Sequence, residues 1–149
     1  MALASGARLG PYEIQSAIGA GGMGEVYKAR DTRLDRLVAI KVLSAALASD
    51  PQFRERFDLE ARAISQLEHP HICALYDVGE QDGTAYLVMQ YLEGETLARR
   101  LERGALPLHD ALTTATQIAD ALDRAHRAGI VHRDLKPGNV MLTKSSEAA

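Results

Sequence analysis

The segment 132–139, His-Arg-Asp-Leu-Lys-Pro-Gly-Asn, places three side chains of different chemistry within six residues. Asp134 offers a carboxylate that can take a hydroxyl proton, and Lys136 offers a cation for a developing phosphate charge. Asn139 offers an amide oxygen of the kind that coordinates Mg²⁺. Because Pro137-Gly138 cannot lie inside a helix, the segment is predicted to be a loop. A polar surface turn would not explain the three side-chain types together.

A glycine cluster near the N-terminus follows the spacing Gly19-x-Gly21-x-x-Gly24-x-Val26, and Gly22 adds a fourth glycine. Glycines at this spacing let backbone N–H groups approach phosphate oxygens without obstruction by Cβ atoms. The pattern alone fits a simple glycine-rich turn, a dinucleotide-binding turn or a hairpin loop over a nucleotide. A dinucleotide-binding turn needs a helix directly after the glycines. The segment that follows has strand character instead, so we predict the hairpin loop.

A lysine and a glutamate occur where apolar residues are expected. Lys41 lies inside the apolar run 37–43, although lysine is rarely buried without a partner. Glu60 falls within the predicted inward stripe of a helix that begins at Asp50-Pro51. The members of that stripe are Phe53, Phe57, Glu60, Ile64 and Leu67. We predict a Lys41–Glu60 ion pair that holds the ammonium near nucleotide phosphates; a purely structural ion pair and a solvated edge-strand lysine are the alternatives.

The elements that must position these groups form an α+β pattern. Five strands are predicted, over residues 12–18, 25–30, 37–43, 72–78 and 84–90. Helices are predicted over residues 51–68, 96–103 and 108–128. One helix therefore lies among the strands and the others follow them, which indicates segregated layers with a boundary near residues 90–94.

Composition excludes several classes of protein. The 149 residues are 46% hydrophobic and 25% charged, the average of soluble globular proteins, and the net charge of −3 offers no basic patch for nucleic acid. A single cysteine, Cys73, excludes an internal disulfide and favours a cytoplasmic location. No apolar run approaches the roughly 20 residues of a membrane span, although an anchor encoded downstream would lie outside this sequence.

The motifs, in this order and spacing, resemble the protein kinase domain of the serine/threonine class, of the kind also found in bacteria. They are the glycine loop, Val38-Ala39-Ile40-Lys41, Glu60 and the segment 132–139. The resemblance implies a five-stranded antiparallel N-lobe with one helix and an incomplete helical C-lobe. It divides the chain into an N-terminal extension (1–11), an ATP-binding N-lobe (12–90) and a hinge with part of the C-lobe (91–149).

The resemblance also implies a role for each catalytic motif residue. Lys41 would hold the α- and β-phosphates of ATP and pair with Glu60. Asp134 would be the catalytic base, Lys136 would neutralise the γ-phosphate and Asn139 would bind Mg²⁺. ATP and Mg²⁺ are therefore the expected cofactors, and a serine or threonine hydroxyl of a protein substrate is the expected acceptor.

The same resemblance implies an ATP pocket. Its residues would be Ile18, Gly19, Gly21, Gly22, Gly24, Val26, Ala39, Lys41, Met89, Gln90, Leu92 and Met141. Four apolar residues would sandwich the adenine, namely Ile18, Val26, Ala39 and Met141. Met89 would stand at the back of the pocket, while the Gln90 carbonyl and the Leu92 N–H would meet the adenine edge.

Two residues refine the class. Lys136 resembles serine/threonine kinases rather than tyrosine kinases, and Arg133 differs from the His-Gly-Asp of related small-molecule kinases. Arg133 also implies control by phosphorylation of an activation loop. No Asp-Phe-Gly occurs in these residues, so we expect a kinase truncated before that motif, with the rest of the C-lobe or a downstream domain missing and the piece inactive by itself. The alternatives are a nucleotide-binding or regulatory fragment without catalysis and a small-molecule kinase of related fold.

Overall fold

The computed structural model describes residues 3–21, 24–132 and 135–143. The chain forms two compact units. The first comprises Met1–Ser65 and Ala74–Tyr91, and the second comprises Gln66–Cys73 and Leu92–Ala149. Within the described ranges, no helix is long and apolar enough to cross a membrane.

The first unit is built on one antiparallel sheet of six strands in the order β1-β2-β3-β4-β6-β5. The strands are β1 (Arg8–Leu9), β2 (Tyr12–Gly21), β3 (Gly24–Asp31), β4 (Arg36–Leu43), β5 (Leu75–Gln81) and β6 (Thr84–Gln90). Five strands were expected, and all five are present, although β5 begins at Leu75, three residues later than predicted. The sixth, β1, has two residues and is too short to show an alternating pattern; Gly10, at a φ of 57°, lets the chain return beside it.

Two of the strand connections, β3 to β4 and β5 to β6, are short polar turns, as the sequence predicts. Asp82 and Gly83 have φ values of 51° and 77°, as expected for the tight hairpin turn between β5 and β6. Between β3 and β4 the buried Asp31 carboxylate accepts hydrogen bonds from the N–H groups of Arg33 (2.9 Å) and Leu34 (3.1 Å). This side chain stabilises the turn by satisfying backbone donors that no strand partner reaches.

The apolar core lies on one face of the sheet, as the alternation of side chains along each strand requires. Its buried members are Leu9, Tyr12, Ile14, Tyr27, Ala29, Val38, Ile40, Tyr86 and Val88. Leu3 and Ala7 of the N-terminal segment pack against this cluster. Residues before position 12, which the sequence suggested were an extension, therefore contribute to the core of the first unit.

Polar side chains join the two ends of this sheet. The Gln81 amide oxygen accepts from the Gly10 N–H (2.6 Å), and its amide nitrogen donates to the Arg8 carbonyl (2.9 Å). The Tyr12 hydroxyl donates to the Asp77 carboxylate at 2.9 Å. Strands β1 and β5 are the first and last of the sheet, so these bonds close it around its apolar face.

Tyr12 gives this closure a testable pH dependence. Burial, reinforced by the hydrogen bond to Asp77, raises the pKa of Tyr12 from 10.0 to about 12. Since folding favours the protonated phenol, its contribution to stability is complete below pH 10.0 and is lost as the pH rises through about 12. We expect the Tyr12→Phe variant to lose the highest-pH component of the phenolate absorbance titration. A lost component that titrates near 10.0 would contradict the buried hydrogen bond.

Two helices accompany the sheet in the first unit, α1 (Ala45–Ala48) and α2 (Pro51–Ser65). The Asp50 carboxylate accepts from the Gln52 N–H (3.0 Å) and more weakly from the Phe53 N–H (3.4 Å), as the predicted helix start requires. The helix ends at Ser65, three residues earlier than predicted, so His69-Pro70, which restricts only the residue directly before the proline, does not itself set the end. Helix α1 was not predicted; four residues are too few to show a periodic pattern.

The predicted inward stripe of α2 was wrong at two positions: Leu67 lies beyond the end of the helix, and Glu60 does not belong to the buried side. Ala61 is buried, whereas Glu60 is exposed. Phe57, Ala61 and Ile64 lie on successive turns of one side of the helix, where Ala61 is buried and the other two are half-buried. Glu60 lies on the adjacent side of the helix. A small apolar side chain packs there without the desolvation that a carboxylate would suffer.

The second unit contains β7 (Gly94–Thr96), α3 (Leu97–Leu101), α4 (Leu108–Arg127), a 3₁₀ turn (Pro137–Asn139) and β8 (Met141–Thr143). Strands β7 and β8 form a small antiparallel sheet. The Thr96 hydroxyl accepts from the Arg99 N–H at 3.1 Å and caps α3.

Helix α4 also anchors the loop segment Gln66–Cys73. The His69 Nε2–H donates to the Asp120 carboxylate of α4 at 3.1 Å, while His69 Nδ1 accepts from the His71 N–H at 3.0 Å. These two bonds define the neutral tautomer of His69. On another side of α4, Leu108 and Leu112 are 75% and 60% exposed, so its apolar residues extend beyond the face covered in the second unit.

Candidate active site

The glycine cluster lies in a β-hairpin. Strand β2 continues to Gly21, β3 begins at Gly24, and these two residues are register partners. Strand rather than helix therefore follows the glycines, so the hairpin prediction is confirmed and the dinucleotide-binding turn is excluded. Gly22 lies outside the described residues.

Gly24 has a packing role that the spacing alone did not reveal. Its φ is 144°, and a Cβ atom placed there would overlap the carbonyl oxygen of Val42 in the adjacent strand β4. A Cβ at Gly19 would meet nothing within 4 Å. Gly24 is thus required by the approach of two backbones, whereas Gly19 is compatible with a side chain in this unit.

Ile18 lies at a bulge in β2. The register shifts between Ala17 and Gly19, which leaves Ile18 without a paired partner on β3, and its side chain is 48% exposed. Bulges of this kind redirect side chains and bend the strand. The family resemblance implied that Ile18 belongs to the adenine pocket but gave no sign of the bulge.

Four predicted ATP-pocket residues share the face of the sheet opposite the core. Val26 pairs with Lys41 across β3 and β4, and Ala39 pairs with Met89 across β4 and β6. Lys41 and Ala39 are two residues apart and so lie on the same face. Lys41 is half-buried, with its neighbours fixed by strand register. Glu60 is exposed on α2, and its pairing with Lys41 stays a prediction.

The end of β6 is held at Gln90 by two hydrogen bonds to one residue. The Gln90 N–H donates to the Ala74 carbonyl (2.8 Å), and the Gln90 amide oxygen accepts from the Ala74 N–H (3.2 Å). The second bond was not predicted, because a long-range side-chain partner leaves no local pattern in sequence. It restrains the residue whose carbonyl is expected to meet the adenine edge.

In the second unit, Lys136 and Asn139 stand at the two ends of a single turn. The Asn139 N–H donates to the Lys136 carbonyl at 2.9 Å, and both side chains are exposed. The loop prediction for this segment is therefore confirmed over its described part. Arg133 and Asp134 lie outside the described residues, so the role of Asp134 stays a prediction.

The chain after this turn is firmly anchored. Val140 is buried, and its carbonyl accepts from the Leu97 N–H at 2.8 Å. Met141 pairs with Thr96 in the small sheet. Gly94, at a φ of 147°, is required because a Cβ there would overlap the Leu142 carbonyl oxygen. The sequence indicated a boundary near Gly94 but not this close approach.

Comparison with known proteins identifies the family to which the chain that carries these motifs belongs. Residues 12–148 match the protein kinase domain family. The chain belongs to this family. The kinase domain is 47% identical over 144 residues to the serine/threonine-protein kinase PknA of Mycobacterium tuberculosis, covering 93% of this chain and 33% of PknA. It is 45% identical over 139 residues to the serine/threonine-protein kinase PknE of the same organism, covering 93% of this chain and 25% of PknE.

Solved structures agree with the protein-kinase-like fold. The crystal structure of the M. tuberculosis PknI kinase domain is similar to this chain with a TM-score of 0.90 and 39% sequence identity. The match covers 99% of this chain and 59% of that one. The chain therefore spans a third or less of PknA and PknE and a little over half of the PknI kinase domain.

Proposed function

We propose that this chain supplies the ATP-binding sheet and catalytic loop of a bacterial serine/threonine protein kinase that phosphorylates protein hydroxyl groups. The observation that carries the proposal is the shared sheet face of Val26, Ala39, Lys41 and Met89 beside the glycine hairpin. Dinucleotide binding would require a different backbone there, and a glycine-rich turn alone would not require Lys41. The single cysteine, Cys73, and the use of ATP support a cytoplasmic location.

The roles proposed for the residues follow from their chemistry. The ammonium of Lys41 binds phosphate oxygens, and Lys136 stabilises the charge that develops on the transferred phosphoryl group. Asp134 orients the acceptor hydroxyl and takes its proton. The Gln90 carbonyl accepts from the adenine base and the Leu92 N–H donates to it.

Asn139 has a side chain suited to bind the Mg²⁺ ion expected of a kinase, but only together with further oxygen ligands. Its amide oxygen is a hard ligand at an exposed turn, but one neutral oxygen does not hold the ion alone. A carboxylate from the Asp-Phe-Gly motif is the partner expected in kinases, and that motif does not occur in these 149 residues. The ion, when bound, neutralises phosphate charge.

Nucleotide binding by the 149-residue chain tests the proposal. We expect calorimetry to detect weak binding of ATP with Mg²⁺, and the Lys41→Met variant to bind at least about tenfold more weakly, because a charge-assisted phosphate contact contributes roughly 1.5–3 kcal/mol. Lys144→Met, at a lysine with no proposed role, is the matched control. We expect no protein phosphorylation by this chain without the second metal ligand. Failure of wild type to bind ATP, or equal binding by Lys41→Met, would contradict the proposed pocket.

A related small-molecule kinase is the second candidate, since it would use the same sheet and lysine. Arg133 in place of the glycine of His-Gly-Asp favours the protein kinase. The relatives PknA and PknE are both named serine/threonine-protein kinases, which supports the same choice.

A further inference from the structure

A cation–aromatic contact lies next to the predicted adenine-binding segment. The Lys28 ammonium nitrogen of β3 is 5.1 Å from the centroid of the Tyr91 ring, which follows β6 directly. Both residues are half-buried. Neither belongs to the glycine loop, the Lys41–Glu60 pair or the catalytic loop, so the proposed function leaves the contact without a role.

Strand register places Lys28 on the ATP face of the sheet. Lys28 pairs with Ala39, which in turn pairs with Met89, so one row across three strands joins them. Cross-strand partners project to the same side. The lysine therefore stands beside two predicted adenine-pocket residues rather than on the core face.

Tyr91 occupies the chain between the two backbone groups expected to meet the base. It follows Gln90, which is tied to Ala74 by two hydrogen bonds, and it precedes Leu92. Those bonds restrain the predicted adenine-binding segment, residues 90–92, on its upstream side. The Lys28–Tyr91 contact restrains the next residue, because a cation over an aromatic face is attracted to the ring.

We propose that Lys28 is a positioning residue for adenine recognition: it holds the Tyr91 ring and so fixes the Gln90 carbonyl and the Leu92 N–H for the base. This inference rests on the proposed function. Guanine has an acceptor where adenine has a donor, and a donor where adenine has an acceptor, at the same edge of the base. A fixed segment 90–92 therefore favours ATP over GTP. Loss of the contact weakens ATP binding and reduces that preference, whereas binding of a phosphate chain alone is unaffected.

A double-mutant cycle on the full chain tests the inference. The variants are Lys28→Met, Tyr91→Leu, their combination and Tyr91→Phe, and the probes are ATP, GTP and inorganic tripolyphosphate, each with Mg²⁺. We expect each single variant to raise the Kd for ATP by about two- to fivefold and the double variant by no more than a single one. Tyr91→Phe keeps the ring and binds like wild type. Tripolyphosphate affinity stays unchanged in every variant.

The sheet offers a matched control in a second contact of the same kind. The guanidinium carbon (Cζ) of Arg36 is 4.0 Å from the centroid of the Tyr76 ring, and neither residue has a proposed role in the ATP site. Tyr76→Leu therefore leaves the Kd for ATP unchanged. Additive losses from Lys28→Met and Tyr91→Leu, an equal loss for tripolyphosphate, or a loss in Tyr91→Phe would overturn the inference. Wild type that fails to bind ATP would overturn the proposed function as well, whereas binding that both single variants leave intact would overturn only this inference.

Discussion

We expect replacement of Asp134 by asparagine to lower protein phosphorylation by about 10²–10⁴-fold in a kinase domain that contains these residues and the remainder of the C-lobe. The reason is chemical: the amide keeps the shape of the carboxylate but cannot accept the proton of the acceptor hydroxyl. ATP binding changes little, because Asp134 is expected to act on the acceptor rather than on the nucleotide base or the phosphate-binding lysine. Initial rates with saturating ATP, together with the Kd for ATP, measure both effects.

Asp123→Asn is the control for that experiment. Asp123 lies on α4 in an exposed ion pair with Arg127 at 3.0 Å, so its loss removes one carboxylate without touching the proposed chemistry. Exposed pairs of this kind contribute about 0.2–1 kcal/mol. If Asp134→Asn kept the wild-type rate, or if Asp123→Asn lost as much, the assignment of Asp134 as the base would be wrong.

Replacement of Gly24 by alanine produces the largest expected loss of stability. The methyl group would overlap the Val42 carbonyl oxygen, and the φ of 144° is unfavourable for any residue with a Cβ atom. Backbone strain and the displacement of β4 together cost about 3 kcal/mol in the free energy of unfolding. Denaturant unfolding followed by far-ultraviolet circular dichroism measures this quantity.

Gly19→Ala separates the packing role of Gly24 from the general flexibility of the glycine loop. A Cβ at Gly19 meets nothing within 4 Å, so the substitution changes stability by less than about 0.5 kcal/mol. Equal destabilisation by both variants would show that the loop, rather than the approach of β3 to Val42, sets the requirement for glycine.

The sequence predicted the parts of the fold that have a local pattern. Alternating apolar residues located five strands, the Asp82-Gly83 pair located a hairpin turn, and Asp50-Pro51 located the start of α2. Elements of two to four residues, such as β1 and α1, were missed because they are too short to show a repeating pattern. The end of α2, three residues before the predicted one, and the exposed position of Glu60, one residue from the buried Ala61, depend on packing that periodicity does not specify.

In the candidate site, too, the sequence indicated residues with suitable chemistry but not the long-range contacts that those residues or their neighbours make. Residue types and spacing were sufficient to single out Lys41, Lys136 and Asn139 as candidates, and their roles stay predictions. They could not reveal that Gln90 is bonded to Ala74 or that Lys28 lies over Tyr91, because those partners are set by the strand order of the sheet. The glycine hairpin was an intermediate case, since the strand character of the following residues distinguished it from a helix-forming turn.

The most direct test of the account is to identify the atom that receives the γ-phosphoryl group of ATP. The complete kinase domain, incubated with ATP and Mg²⁺, is analysed by mass spectrometry together with its protein substrates and with small hydroxyl compounds. We predict phosphorylation of serine and threonine side chains in protein, lost in the Asp134→Asn variant. Phosphate found only on small molecules, or protein phosphorylation that persists in Asp134→Asn, would contradict the account.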